Sequence, residues 1–190
     1  MKRAEIEKAL RKELDKERFR HTMGVMYTAA SLAMAHGENM EKALLAGLLH
    51  DCAKCIPNDK KLKMCKKYQI DITESEKKSP FLLHAKLGAY LAETVYGVSD
   101  PDILHAIAVH TTGAPGMNRL DKIIFIADYM EPNRDKAADL PEVRTLAFQD
   151  LDATMRLILK DTLIYLEESR DVIDPMTEQT YKFLNQEGFQ

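Results

Sequence analysis

Apolar positions fall three and four apart through most of the chain, and nowhere do they alternate as in a half-buried strand. Ile6, Leu10 and Leu14 place one apolar face on a charged helix running from Ala4 to about Glu17. Phe19, Met23, Met26, Ala30 and Ala33 form a second stripe over Lys16 to His36, and Gly37 is a stop signal. Asn39 reads as the N-cap of a helix from Met40 to Cys52, whose apolar run Ala43 to Leu49 predicts burial. Pro57-Asn58-Asp59 reads as a turn and Lys60 to Lys67 as a short basic helix. Residues 68–80 are polar and without period, a flexible loop that would suit a lid over a cleft. Leu83, Leu87, Leu91 and Val95 define a helix over Pro80 to Tyr96. Ser99-Asp100-Pro101-Asp102 starts the next, which ends at His110. Leu120, Ile123, Ile124 and Ala127 face inward from Asn118 to Met130, and Glu131-Pro132 stops that helix. One long helix is expected from Val143 to Ser169, after a loop containing Pro141, and a short one from Met176 to Asn185. The pattern predicts a single all-α domain over residues 1–190.

Composition narrows the partners. A chain of 190 residues can bury one good-sized core. A net charge of −3 predicts neither a nucleic-acid partner nor a membrane surface. No apolar run is long enough to span a bilayer, and no apolar core follows Lys2-Arg3, so a cytoplasmic protein is expected. Cys52, Cys55 and Cys65 are an odd set and predict free thiols. Cys52-x-x-Cys55 has redox spacing without the strand-then-helix setting such a motif needs.

The candidate chemistry lies in polar residues embedded in apolar helices. His50-Asp51 closes the run Ala43 to Leu49; His21 flanks the second stripe; His84 follows Phe81-Leu82-Leu83; His110 ends Ile103 to Val109; Asp128 interrupts Phe125 to Met130. Each alone is more simply a core or helix-end residue. Together they are six nitrogen and oxygen donors suited to divalent cations, and such a set points to metal-assisted hydrolysis of a phosphate ester or anhydride. Lys54 follows Asp51 by one turn, and Arg134 follows the Asp128 helix; both are candidates to hold phosphate. Thr111 and Thr112 offer hydroxyls beside His110, and Arg18, three before His21, is a weaker phosphate candidate. His36 reads as a helix-dipole partner, and His105 points away from His110.

The order His21, His50-Asp51, Asp128 resembles the pattern of HD-domain metal-dependent phosphohydrolases, with His84 and His110 matching the further histidines of two-metal members. The stretches His21-Thr22-Met23-Gly24-Val25, Ala46 to Lys54, His84-Ala85-x-x-Gly88-Ala89, Ala106 to Gly113 and Leu120 to Arg134 are closest to the YqeK-like branch, bacterial HD-type symmetrical diadenosine tetraphosphate hydrolases. The resemblance implies an all-helical HD fold, with a metal-site core over about 18–134 and C-terminal helices over about 143–185. It implies two bound divalent ions, iron first, with manganese, cobalt or zinc compatible. It implies attack by a metal-bridged hydroxide that cuts diadenosine tetraphosphate into two ADP. His21, His50, Asp51 and Asp128 would hold one ion; Asp51 would bridge to the other, held by His84 and His110. Asp51, Lys54, His110 and Arg134 are then the catalytic candidates, and Arg18, Lys54, Thr111, Thr112 and Arg134 the substrate contacts. Other HD-type nucleotide phosphohydrolases or nucleotidases, a nucleotide-binding regulator with a degenerate site, and a helical interaction domain stay open. A homodimer is expected of a small enzyme.

Overall fold

A computed structural model describes residues 1–187. Among them there are helices and connecting turns but no strand. The helices are α1 (Arg3–Glu13), α2 (Lys16–His36), α3 (Met40–Leu49), α4 (Asn58–Lys67), α5 (Glu74–Lys78), a 3-10 turn (Pro80–Leu83), α6 (His84–Thr94), α7 (Pro101–Val109), α8 (Arg119–Met130), α9 (Leu140–Leu146), α10 (Leu151–Ser169) and α11 (Pro175–Glu187). None is long and apolar enough to cross a membrane.

Side-chain caps set most of the helix starts. Asp15 accepts from the Arg18 amide, which separates α1 from α2 at a point where periodicity alone predicts overlap. Asn39 caps α3 through the Lys42 amide, and Asn118 and Asp121 form a reciprocal capping box on α8. Gly37 closes α2 with a left-handed φ of 66°.

The core is formed by α2, α3, α7 and α8, with α6 on α7, α10 on α8 and α11 on α10. The α2–α3 contact is close: a Cβ on Gly47 would stand 2.9 Å from the backbone Cα of Met26. Gly47→Ala regains up to ~1 kcal/mol of helix propensity, but overpacking against backbone costs about 1–3 kcal/mol. A net loss of stability is expected, read as a lower midpoint in urea unfolding.

Five expectations about elements need correction. The helix expected to reach Cys52 ends at Leu49, and residues 50–55 are turns that carry His50 and Asp51 out of the helix. Pro57 to Asp59 is the start of α4. Residues 68–80 are no plain loop: Thr73 and Glu76 cap the short α5, and Ile70 and Ile72 pack on a second apolar cluster built from Ala53, Cys65, Leu83 and Leu87. The expected long C-terminal helix is two, because Asp150 caps a new start through the Ala153 amide. Val95 is exposed, and Tyr96 takes the buried place at the end of α6. The three cysteines are free.

Candidate metal centre

Three histidines make the same local contact, Nδ1 to the carbonyl three residues back: His50 and His110 just after α3 and α7, His84 where the 3-10 turn passes into α6. His50 turns Nδ1 to Gly47 O at 2.7 Å, His84 to Phe81 O at 2.5 Å and His110 to Ile107 O at 2.7 Å. His21, mid-helix in α2, turns Nδ1 to Glu131 Oε1 at 3.1 Å. With Nδ1 engaged on all four rings, each Nε2 faces inward, where an unprotonated ring offers a lone pair. His50 Nε2 lies 3.3 Å from His21 Nε2, and His84 Nε2 lies 3.1 Å from His110 Nε2.

Asp51 stands between these pairs and is 1% exposed. Its Oδ2 is 3.4 Å from His50 Nε2 and 3.8 Å from His21 Nε2; its Oδ1 is 3.2 Å from His84 Nε2 and 3.7 Å from His110 Nε2. Asp128 Oδ1 is 2.9 Å from His21 Nε2 and 3.9 Å from His50 Nε2. Three sets of donor atoms lie within 4.8 Å of one another: His21–His50–Asp51, His50–His110–Asp128 and Asp51–His84–His110.

The electrostatics keep the set ready for cations. Burial pushes the Asp51 carboxyl up, but the His50 charge and the imidazole edges of His110, His50 and His84 outweigh it and hold it well below its usual range. For Asp128, burial is likewise outweighed, first by the hydrogen bond to His21 and then by the His50 charge. Burial lowers His84 to about 4, so its ring is neutral at pH 7. Asp51 Oδ1 is buried with no hydrogen-bond partner. Paired lone pairs, an orphaned carboxylate oxygen and mixed imidazole–carboxylate donors all fit divalent metal ions.

The expected phosphate contacts divide. Arg18 Nη1 is 2.7 Å from Asp51 Oδ2, and Arg134 Nη2 is 2.8 Å from Asp128 Oδ1. Both line a cavity of about 580 Å³ whose wall also holds His21, His110, Thr111 and Asp128. Lys54 is outside that wall; its Nζ reaches His84 Nε2 at 3.1 Å and Asp51 Oδ1 at 3.8 Å. Thr111 Oγ1 lies 3.2 Å from both His84 Nε2 and His110 Nε2. Thr112 is not brought in: it donates to Gly113 O at 3.1 Å and lines a separate, smaller cavity. His36 and His105 stay outside, on Ala147 O and Asp121 respectively.

Glu131 reads in sequence only as part of a helix stop, yet it is 1% exposed and fixes His21. It also accepts from the Asn133 amide and Nδ2, both at 2.8 Å. Gly24 makes room for it, since a Cβ there would fall 2.2 Å from Glu131 Oε2. Arg144 binds the carbonyls of Met130, Glu131 and Arg134, and so holds the break that presents Arg134. The cavity wall gains Arg20 and Lys136, which no motif marks.

A helical core whose histidines and aspartates converge in this way offers donor sets that could hold divalent metal ions. The HD domain model matches residues 18–133, and the chain belongs to the HD domain family. It is 38% identical to a Bacillus subtilis protein named bis(5'-nucleosyl)-tetraphosphatase, symmetrical, over 97% of this chain and 98% of the relative. A Halalkalibacterium halodurans protein of the same name is 37% identical over 97% of each chain. A solved Clostridium acetobutylicum structure, described as a predicted HD superfamily hydrolase involved in NAD metabolism, superposes with a TM-score of 0.95. It is 35% identical and covers 98% of both chains.

Proposed function

We propose that this chain is a metal-dependent symmetrical dinucleoside tetraphosphatase that hydrolyses diadenosine tetraphosphate to two ADP. The observation that carries the reading is the division of Asp51, one oxygen toward His21 and His50 and the other toward His84 and His110. Relatives of near-equal length that bear this activity in their names support the substrate.

Two ions are proposed, one on His21, His50, Asp51 and Asp128, the other on Asp51, His84 and His110. When bound, such ions supply a nucleophile from water at neutral pH and Lewis-acid stabilisation of charge on phosphate. Iron is proposed first on the family resemblance; the donors accept manganese, cobalt and zinc as well. The remaining work falls to the protein's own groups. Imidazole ligands bind a cation as neutral donors, so the two aspartates set the balance of the centre beside a polyanion. Arg134 forks onto phosphate oxygens at the cavity, Arg18 adds a second cation there, and Lys54 covers the Asp51 Oδ1 side. Thr111 donates a hydrogen bond. Water adds at one inner phosphorus, the bridge between the second and third phosphates breaks, and each half leaves as a nucleoside diphosphate. ADP is a good leaving group, so no dedicated acid is required. The setting proposed is cytoplasmic, and a homodimer is the expected assembly.

Chromatography of the products tests the reading. ADP alone supports it; AMP with ATP would move the attack to an outer phosphorus; no turnover by the metal-loaded chain would overturn the substrate. Arg134→Ala should leave metal content unchanged and lower kcat/KM about ten- to a hundredfold, the worth of a hydrogen bond to a charged group. Unchanged kinetics at full metal content would remove Arg134 from substrate binding.

A further inference from the structure

The chemistry above uses the charged wall of the large cavity, where Arg18, Asp128 and Arg134 stand. A second stretch of wall is apolar and is left unused. Phe125 and Tyr129 lie one turn apart on α8, and Ile158 and Thr162 one turn apart on α10. The two helices pack on each other, and all four residues line the cavity. Ala137 joins them from the loop beyond Arg134. Phe125 and Ile158 are buried, while Tyr129 and Thr162 are half-buried. Tyr129 is held in place: its hydroxyl donates to Asp139, 2.8 Å from Oδ1 and 3.0 Å from Oδ2. The polar tip is thereby taken up, and the ring is left to line the cavity.

This wall is continuous with the phosphate end. Tyr129 follows Asp128 directly, and Arg134 donates from Nε to Asp128 O at 3.0 Å and from Nη2 to Asp128 Oδ1 at 2.8 Å. The guanidinium therefore lies against the end of α8 that carries Tyr129. A polyphosphate has no use for an aromatic wall, since an anion pressed against it loses solvation without gaining a partner. A nucleobase has the reverse need: its flat face gains by stacking on an aromatic ring, and every base has such a face. We infer that Tyr129 is the stacking platform for the nucleobase on the substrate half whose phosphate Arg134 holds, with Ile158 and Ala137 completing an apolar slot. This inference rests on the proposed dinucleotide substrate and assigns the recognition of its base, which the phosphate contacts do not supply.

Tyr129→Leu keeps apolar bulk and removes the aromatic face; Tyr129→Phe keeps the face and removes only the bond to Asp139. In the metal-loaded full chain, calorimetry with ADP and with inorganic pyrophosphate separates base from phosphate. Tyr129→Leu should weaken ADP binding about tenfold or more and raise KM for diadenosine tetraphosphate by a similar factor, with metal content and pyrophosphate affinity unchanged. Diguanosine tetraphosphate should lose as much, because stacking does not read the edge of the base. Tyr129→Phe should stay within about threefold of wild type for each ligand. Unchanged ADP affinity in a folded Tyr129→Leu overturns the inference, and so does an equal loss for ADP and pyrophosphate, which would mark damage to the phosphate end. If Leu lowers Tm below the assay temperature, Tyr129→Met carries the same comparison. A wild-type chain that binds ADP more tightly than pyrophosphate but does not cut the dinucleotide would discard the proposed substrate, and the calorimetric comparison would still decide Tyr129.

Discussion

Asp51→Ala should lose bound metal and at least about a thousandfold in kcat/KM together, about 4 kcal/mol of transition-state stabilisation. The size follows from the geometry. Oδ2 faces His21 and His50 while Oδ1 faces His84 and His110, so one substitution removes a donor from both proposed ion sites. The loss cannot be repaired locally. The carboxylate is buried, and its cationic neighbours Arg18 and Lys54 would lose the carboxylate they both face. Metal analysis, kinetics and circular dichroism on the same preparation check the result. Helical content should persist, because Asp51 lies in the turn after α3 and caps no helix. A variant that keeps its metals and its activity would remove Asp51 from the centre.

The second large effect belongs to a residue that touches no proposed ion. Glu131→Ala should weaken metal affinity about ten- to a hundredfold, the usual worth of a carboxylate that orients a ligating histidine. Without Glu131 Oε1, His21 loses the acceptor that keeps its proton on Nδ1 and its Nε2 lone pair inward. Asn133 loses the acceptor for its amide and side chain at the same time. Stability should fall by about 1–3 kcal/mol, because those donors stay partly buried. A positioning role predicts that added metal recovers most of kcat in Glu131→Ala and recovers none in Asp51→Ala. Equal metal affinity in Glu131→Ala and wild type would reduce Glu131 to a packing residue.

Much of this was legible from local pattern. The stripe on α2, the Gly37 stop and the Asn39 cap need only nearest-neighbour chemistry, and all three stand in the structure. The six candidate donors were visible because each is polar in an apolar stretch, and the structure brings their ligand atoms together. The α9–α10 break was hidden because the apolar period continues across it and only the Asp150 cap marks the new start. The Thr73–Glu76 box on α5 was a readable signal that an otherwise polar, aperiodic stretch obscured. Glu131 lay beyond local reading. Its burial is made by another element, since it fits beside Gly24 of α2. Thr112 shows the converse, since adjacency in sequence to His110 did not place its hydroxyl in the centre.

The most direct test of the central claim couples metal to product. The chain is stripped with chelator, reconstituted in steps, and assayed for metal per chain and for ADP formed from diadenosine tetraphosphate. ADP formation that is absent in the stripped chain and rises with metal to a plateau near about two ions per chain is the predicted result. Full-rate ADP formation by the stripped chain would contradict it.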